Sequence, residues 1–531
     1  MGDLTPTLID VLLRRAEESP DRVWTTDVFG RTLTYAETVD GARRWAAAYR
    51  RIGVGRGDFV VTMQLNSVDG TLGWLGLAWL GAVEAPINVD YRGPLLTHAL
   101  NLTRARVALV LAQYADRLRE VAGELEHLKT VVVPDADAFD LPFEVVAGAA
   151  LHAGVEPADD LDPPAPWDLM GVLFTSGTTG PSKAVRIPWG QMHATAMSTW
   201  PIEDLGPDDV IYNPTPAYHV GAKAFPFMAA LIDGRQVVRP FISLTEMGSD
   251  YLEHGVTTGV VGPMSWLAEP ESPDDARRPL RNLLVPWPIP GMDEFRRRFG
   301  VRTYACFNMT EVSVPIADPD WDSTHYDEHG RMSCGKVRPG YEARVVDPHD
   351  QPLPPGEVGE LIVRSDAPWV LNDGYLNMPE ATAEAWRNGW FHTGDAFVYD
   401  AEGWFYFVDR IKDCIRRRSE NISSFEVEAY VAAHPEVAEC AAVAVKMGDD
   451  PAADEEVRVV VVRTPDGTVE AEELVRWLIP RMPRFMIPRF VDFADSLPRT
   501  PTMKVRKAEL REQGVTDRTW DRVSAGVELP R

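Results

Sequence analysis

From Thr34 to about Thr310 the chain alternates helical periodicity, as in Tyr35–Arg50, with short β-rich runs at Phe59–Met63, Val107–Leu111, Thr130–Val133 and Val210–Tyr212. Short apolar strands separated by helix-length segments predict α/β layers with largely parallel sheets. One apolar run, Met170 to Phe174, leads into a loop of unusual chemistry: Thr175-Ser176-Gly177-Thr178-Thr179-Gly180-Pro181-Ser182-Lys183. Gly177 and Gly180 let the backbone turn tightly and bring its N–H groups close to a ligand. Ser176, Thr178, Thr179 and Ser182 add hydroxyl donors, and Lys183 adds a mobile cation. The loop suits a polyphosphate. It is not a Walker A loop, because Ser182 stands where that pattern needs glycine before the lysine.

At 531 residues the chain is too long for one core and divides into domains. From about Gly335 to Tyr406 short β runs sit between Pro/Gly turns such as Pro352 to Gly356, which predicts a β-rich subdomain. Beyond Asp409 a basic patch, Arg410 to Arg418, precedes alternating helix and strand patterns at Glu426–Ala433, Glu456–Arg463 and Ala471–Arg481. The expected division is 1–409, with 335–409 as its β-rich part, and a small α+β domain over 410–531. A formal charge of −27 excludes a non-specific nucleic-acid binder or a protein drawn to anionic membranes. Cys306, Cys334, Cys414 and Cys440 lack CxxC spacing, so neither a zinc site nor a disulfide framework is indicated. The first twenty residues read as an amphipathic helix and not as a signal peptide. The longest apolar stretch, Leu72 to Val83, is too short to span a bilayer and reads as a buried helix. A soluble, cytoplasmic protein without membrane insertion is expected.

Further motifs follow the loop in a recognisable order. They are Leu33-Thr34-Tyr35-Ala36-Glu37, Gly81-Ala82-Val83-Glu84-Ala85-Pro86 and Pro216-Ala217-Tyr218-His219-Val220-Gly221. Then come Phe307-Asn308-Met309-Thr310-Glu311, Trp390-Phe391-His392-Thr393-Gly394-Asp395, Asp409-Arg410-Ile411-Lys412-Asp413 and Pro498 to Lys507. The set resembles the adenylate-forming superfamily of acyl-CoA synthetases, peptide-synthetase adenylation domains and luciferases. That resemblance implies a large AMP-binding N-terminal domain of doubly wound sheets with a β-barrel-like subdomain, followed by a small mobile α+β domain hinged near Lys412. It implies ATP and Mg²⁺, with Thr175, Ser176, Gly177, Thr178, Thr179, Gly180 and Lys183 around the β- and γ-phosphates. Glu311 would hold the metal and Thr310 would donate to the α-phosphate. Asp395 would accept the ribose hydroxyls, because an ionised carboxylate offers several acceptor sites. Arg410 would contact ribose or phosphate, and Lys504 would bridge the acid and the α-phosphate as charge builds. His219 is either a gate between the acid and the second substrate or a satisfied core histidine.

The chain departs from the family pattern at four places. Val285-Pro286-Trp287-Pro288-Ile289-Pro290-Gly291 stands where a glycine-rich turn is usual, so the pocket wall is reshaped. Asn308 replaces a glycine and adds a polar group near the bound acid and nucleotide. Met503 replaces the glycine before the lysine, and Ser419 replaces a glycine in the Arg418-to-Ser423 transfer loop. Asn88-Val89-Asp90-Tyr91-Arg92-Gly93 and Glu420-Asn421-Ile422-Ser423 are closest to the crotonobetaine/carnitine-CoA-ligase-like branch. The expected activity is ATP-dependent ligation of a small or aromatic acid to CoA, with Asn308, Met264, Trp287 and Val314 as pocket candidates. The alternative is a secondary-metabolism ligase with a non-CoA acceptor, including diazotase-type activation of nitrite for an aryl amine.

Overall fold

The computed structural model describes residues 5–175, 182–417, 420–447, 455–500 and 504–529. Local sequence sets the first helices. Leu8–Glu18 and Tyr35–Arg51 each open on a capping box. The Thr7 hydroxyl accepts from the Asp10 N–H at 3.3 Å while the Asp10 carboxylate accepts from the Thr7 N–H at 2.8 Å. Thr34 and Glu37 repeat the exchange at 3.2 and 2.8 Å. Each box satisfies two donors that a helix start leaves orphaned, and losing such a cap costs about 1 kcal/mol.

Two seven-stranded sheets follow from the alternation of helix and strand. One runs Glu144–Ala147, Thr130–Val133, Val107–Val110, Phe59–Met63, Val83–Pro86, Leu169–Thr175, Lys183–Pro188, parallel throughout except for the last, antiparallel pair. The other runs Arg302–Tyr304, Asn282–Leu284, Thr258–Val260, Val210–Asn213, Arg235–Val238, Val23–Asp27, Thr32–Thr34, again with one antiparallel edge. The apolar stretch from Leu72 belongs to the helix Val68–Leu80, which is buried along almost its whole length and ends at Gly81 in the left-handed region. Val83 already starts the next strand. Gly76 lets this helix meet Tyr35–Arg51 closely: a Cβ there would lie 2.4 Å from the Trp45 Cβ. A glycine inside a helix costs about 1 kcal/mol, and here the close packing against Trp45 offsets it.

Among the described residues there are two compact units, one within 5–175, 182–343 and 363–391, the other within 344–362 and 392–529. Besides the two sheets, the first contains the hairpin Cys306–Met309 with Val312–Ala317. The second contains the antiparallel pair Phe391–Tyr399 and Phe405–Arg410. It also holds a small α+β fold. There Val437–Lys446, Glu455–Arg463, Phe490–Phe493 and Trp520–Asp521 form a four-stranded sheet. The helices Ser424–Ala432 and Ala471–Leu478 contribute Val427, Val431, Leu474 and Leu478 to its core. All four cysteines are free thiols. No helix among the described residues is long and apolar enough to cross a membrane.

Candidate active site

A hairpin flanks the glycine-rich segment expected to take a polyphosphate. Leu169–Thr175 and Lys183–Pro188 pair antiparallel, with Thr175 opposite Lys183 at the open end. Ser176, Gly177, Thr178, Thr179 and Gly180 lie outside the described residues. The downstream stem is held from one side. Ser182 shares a 3.1 Å hydrogen bond with the Tyr91 hydroxyl, and its carbonyl lies 3.0 Å from the His98 Nε2. Tyr91 is buried, and burial pushes its phenol above the usual range. Lys183 extends its ammonium over the ring of Tyr375, 4.6 Å from the centroid.

Thr310 and Glu311 form the tip of the hairpin between Cys306–Met309 and Val312–Ala317, where Met309 pairs with Val312. Glu311 is only 6% exposed. Its Oε1 accepts from the Tyr375 hydroxyl at 3.2 Å. Its carbonyl accepts from Asn372 twice, from the backbone N–H at 3.1 Å and from Nδ2 at 2.8 Å. The Thr310 carbonyl accepts from Gln191 Nε2 at 3.0 Å. Burial and the Glu311 charge drive the Tyr375 phenol far above its ordinary pKa, so it stays an O–H donor. Lys183, Tyr375, Glu311 and Thr310 thus share one neighbourhood of the first unit. Asn308, on the same hairpin, points its side chain to solvent.

His219 also belongs to the first unit and is exposed, which removes the reading of a core histidine. Its Nδ1 accepts from the Gly221 N–H at 3.2 Å, so the neutral ring carries its proton on Nε2. Four residues on, Lys223 is buried and pairs with Glu84 at 2.5 Å. Among the proposed wall residues Trp287 is exposed, but Val314 has no exposed surface and packs in the main core, which removes it as a wall residue.

In the second unit Asp395 and Arg410 face one another across the pair Phe391–Tyr399 and Phe405–Arg410. The Arg410 Nε lies 3.2 Å from the Asp395 Oδ1, with the Asp395 side chain 4% exposed. The turn of Gly394 is set by Glu360, which accepts its N–H at 3.0 Å. Lys412 is exposed in the turn that follows, where the Asp413 and Cys414 N–H groups both bond the Arg410 carbonyl at 2.8 and 2.9 Å. Lys504 is exposed, with the Thr500 N–H on its carbonyl at 2.7 Å and its own N–H on Thr500 Oγ1 at 3.1 Å. Lys507, three residues on, bonds Ser424 Oγ at 2.5 Å and Glu428 at 2.7 Å. Arg418, Ser419 and Met503 lie outside the described residues.

The sequence reading missed Tyr375, Asn372, Tyr91 and His98. Tyr91 lies in the Asn88–Gly93 segment already singled out, but no role was read for it there; ahead of Tyr375 stood the Asn372-Asp373-Gly374 turn tripeptide.

Residues 12–376 match the model of the AMP-binding enzyme family, and residues 426–504 match that of the AMP-binding enzyme C-terminal domain. The crotonobetaine/carnitine–CoA ligase of Salmonella paratyphi A is 29% identical over 496 residues, covering 91% of this chain and 93% of that enzyme. Two solved enzymes share the fold. An anthranilate CoA ligase in complex with anthranoyl-AMP aligns with a TM-score of 0.79 at 21% identity, covering 99% of both chains. The o-succinylbenzoate CoA synthetase of Bacillus subtilis, solved with ATP and a magnesium ion, aligns at 0.79 and 22%, covering 94% of this chain and 98% of that one. With the family model spanning most of its length and the loop stem, Glu311 hairpin and Asp395 turn in place, the chain belongs to the AMP-binding enzyme family.

Proposed function

We propose that this enzyme is an ATP-dependent, AMP-forming ligase that activates a small or aromatic carboxylic acid as its acyl-adenylate and passes the acyl group to the thiol of CoA. The observation that carries the reading is the convergence of Lys183 and Glu311 on Tyr375. It brings a cation for phosphate and a carboxylate for a metal into one buried neighbourhood of a family whose relatives include CoA ligases.

In the first half-reaction a carboxylate oxygen attacks the α-phosphorus of ATP and pyrophosphate leaves. Two anions must meet, so fixed cations and donors carry most of the rate. The Thr175–Lys183 loop and its lysine hold the leaving phosphates, and Thr310 donates to the α-phosphate. Asp395 accepts the ribose hydroxyls, with Arg410 beside it keeping the carboxylate oriented. Lys504, exposed in the structure, supplies the cation between acid and phosphate. The donor set at Glu311, one buried carboxylate beside a hydroxyl, fits Mg²⁺, which takes one or two carboxylates and completes its shell with phosphate oxygens and water. When bound, that ion neutralises charge on the leaving pyrophosphate. In the second half-reaction the CoA sulfur attacks the acyl carbon, the C–O bond to AMP breaks, and the thiol proton passes to solvent. His219, exposed and carrying its proton on Nε2, serves as the gate between acid and thiol. The turn at Lys412 is the hinge that separates the two steps.

The test is acid-dependent pyrophosphate exchange across a panel of small aliphatic and aromatic acids, followed by AMP release with and without CoA. Exchange with one acid class and CoA-stimulated AMP release are expected. Exchange without any CoA stimulation would retain adenylation and remove CoA as the acceptor.

A further inference from the structure

Residues Leu371–Leu376 bond to the loop stem and to the Glu311 hairpin alike. On one side Leu371 bridges Val312, and Asn372 gives both of its N–H bonds to the Glu311 carbonyl. On the other side Tyr375 bridges Val185. There the Asp373 N–H bonds Arg186 O at 2.9 Å, the Arg186 N–H bonds Gly374 O at 2.9 Å, and the Leu376 N–H bonds Ala184 O at 2.8 Å. An Arg186–Asp373 ion pair at 2.6 Å reinforces that side. The segment is therefore a short strap whose two edges belong to the two halves of the phosphate and metal machinery.

Tyr375 is the residue of the strap that touches both charged groups. It is 7% exposed, and its N–H is fixed on Thr382 Oγ1 at 2.9 Å. The ring takes the Lys183 ammonium and the hydroxyl takes Glu311 Oε1. Lys183 and Glu311 make no ion pair with each other within 4.0 Å. A direct pair would neutralise the cation meant for phosphate and the anion meant for a metal. An aromatic face attracts a cation through its ring quadrupole, and a phenol O–H on a carboxylate is a charge-assisted hydrogen bond. One side chain thus contacts both charged groups and stands between them.

We propose that Tyr375 is a positioning residue that holds Lys183 and Glu311 apart and oriented, so that each stays available to the nucleotide and its metal. The inference rests on the phosphate and metal roles assigned above to Lys183 and Glu311. A packing role alone would be served equally by phenylalanine, and that gives the test. Mn²⁺, as a paramagnetic substitute for Mg²⁺, is titrated by electron paramagnetic resonance into enzyme holding a non-hydrolysable ATP analogue. Tyr375→Phe, which keeps the ring, is expected to weaken Mn²⁺ about tenfold while affinity for the metal-free analogue stays within twofold. Tyr375→Leu, which loses ring and hydroxyl, is expected to weaken both about tenfold, because Lys183 and Glu311 then pair. Glu311→Gln is run beside them. If Glu311→Gln loses Mn²⁺ but Tyr375→Phe and Tyr375→Leu bind metal and analogue like the parent, the positioning role is overturned. If Glu311→Gln itself binds Mn²⁺ normally, the metal reading beneath the inference is what fails.

Discussion

Replacing Lys223 by methionine is expected to destabilise the first unit by about 3–5 kcal/mol, the usual cost of breaking a buried pair and stranding one charge. The structure supplies the reasons. The Lys223 and Glu84 side chains are 5% and 1% exposed and their charged atoms lie 2.5 Å apart. The ammonium also sits over the Trp74 ring at 4.4 Å, and Glu84 Oε1 accepts from Thr62 Oγ1 at 2.8 Å and Gln64 Nε2 at 3.4 Å. Burial pulls the Lys223 pKa down while Glu84 pushes it back up, so most of the charge's support comes from that one partner. With an unfolding entropy of about 2.1 cal/mol/K per residue and a cooperative unit of roughly 350 residues, the loss corresponds to about 4–7 °C in Tm. Scanning fluorimetry on Lys223→Met, Glu84→Gln and the double variant reads it out. The double variant leaves no stranded charge and is expected to lose at least 2 kcal/mol less than the two single losses added together. Additive losses, or a Lys223→Met shift under 1 °C, would refute the reasoning.

Lys504→Ala is expected to abolish acid-dependent pyrophosphate exchange while thioester formation from a supplied adenylate persists; equal loss of both would remove its assignment. Lys412→Pro fixes φ in the turn after Arg410 and is expected to spare exchange and block transfer to CoA, so unimpaired overall turnover counts against the hinge. Burial holds the Asp318 carboxyl up at about 6. Its contribution to stability is therefore present below the unfolded pKa near 4 and lost as pH rises through 6. An asparagine oxygen can keep the bonds from Ala305 N–H and Thr324 Oγ1. Asp318→Asn should thus gain about 1–3 kcal/mol over the parent at pH 7.5 and nothing at pH 4; an equal gain at both pH values in denaturant titrations would contradict this.

The layered α/β order was legible because it is local. Runs such as Phe59–Met63 and Thr130–Val133 became strands at the expected positions, and the helical pattern at Tyr35–Arg50 became the helix Tyr35–Arg51. The helix expected to reach Arg481 ends at Leu478, since helix ends depend on what the chain packs against next. The site was legible only where its chemistry lies in contiguous motifs. Tyr375 is 64 residues from Glu311 in sequence, and nothing in Gly374-Tyr375-Leu376 states what the ring will face. The Pro498–Lys507 motif marks Lys504, but nothing in it states that Lys507 will bond Ser424 and Glu428. His219 needed its surroundings in the same way, because Tyr218-His219 suits a core or a surface equally until its exposure is seen.

Purified enzyme incubated with ATP, Mg²⁺ and labelled pyrophosphate tests most directly the claim that it adenylates a carboxylic acid, using a panel of small and aromatic acids with nitrite as a separate arm. Label should enter ATP only when a carboxylic acid of one class is present, and Lys504→Ala should abolish that exchange. Tight ATP binding with no exchange from any acid, or exchange driven by nitrite alone, would contradict it.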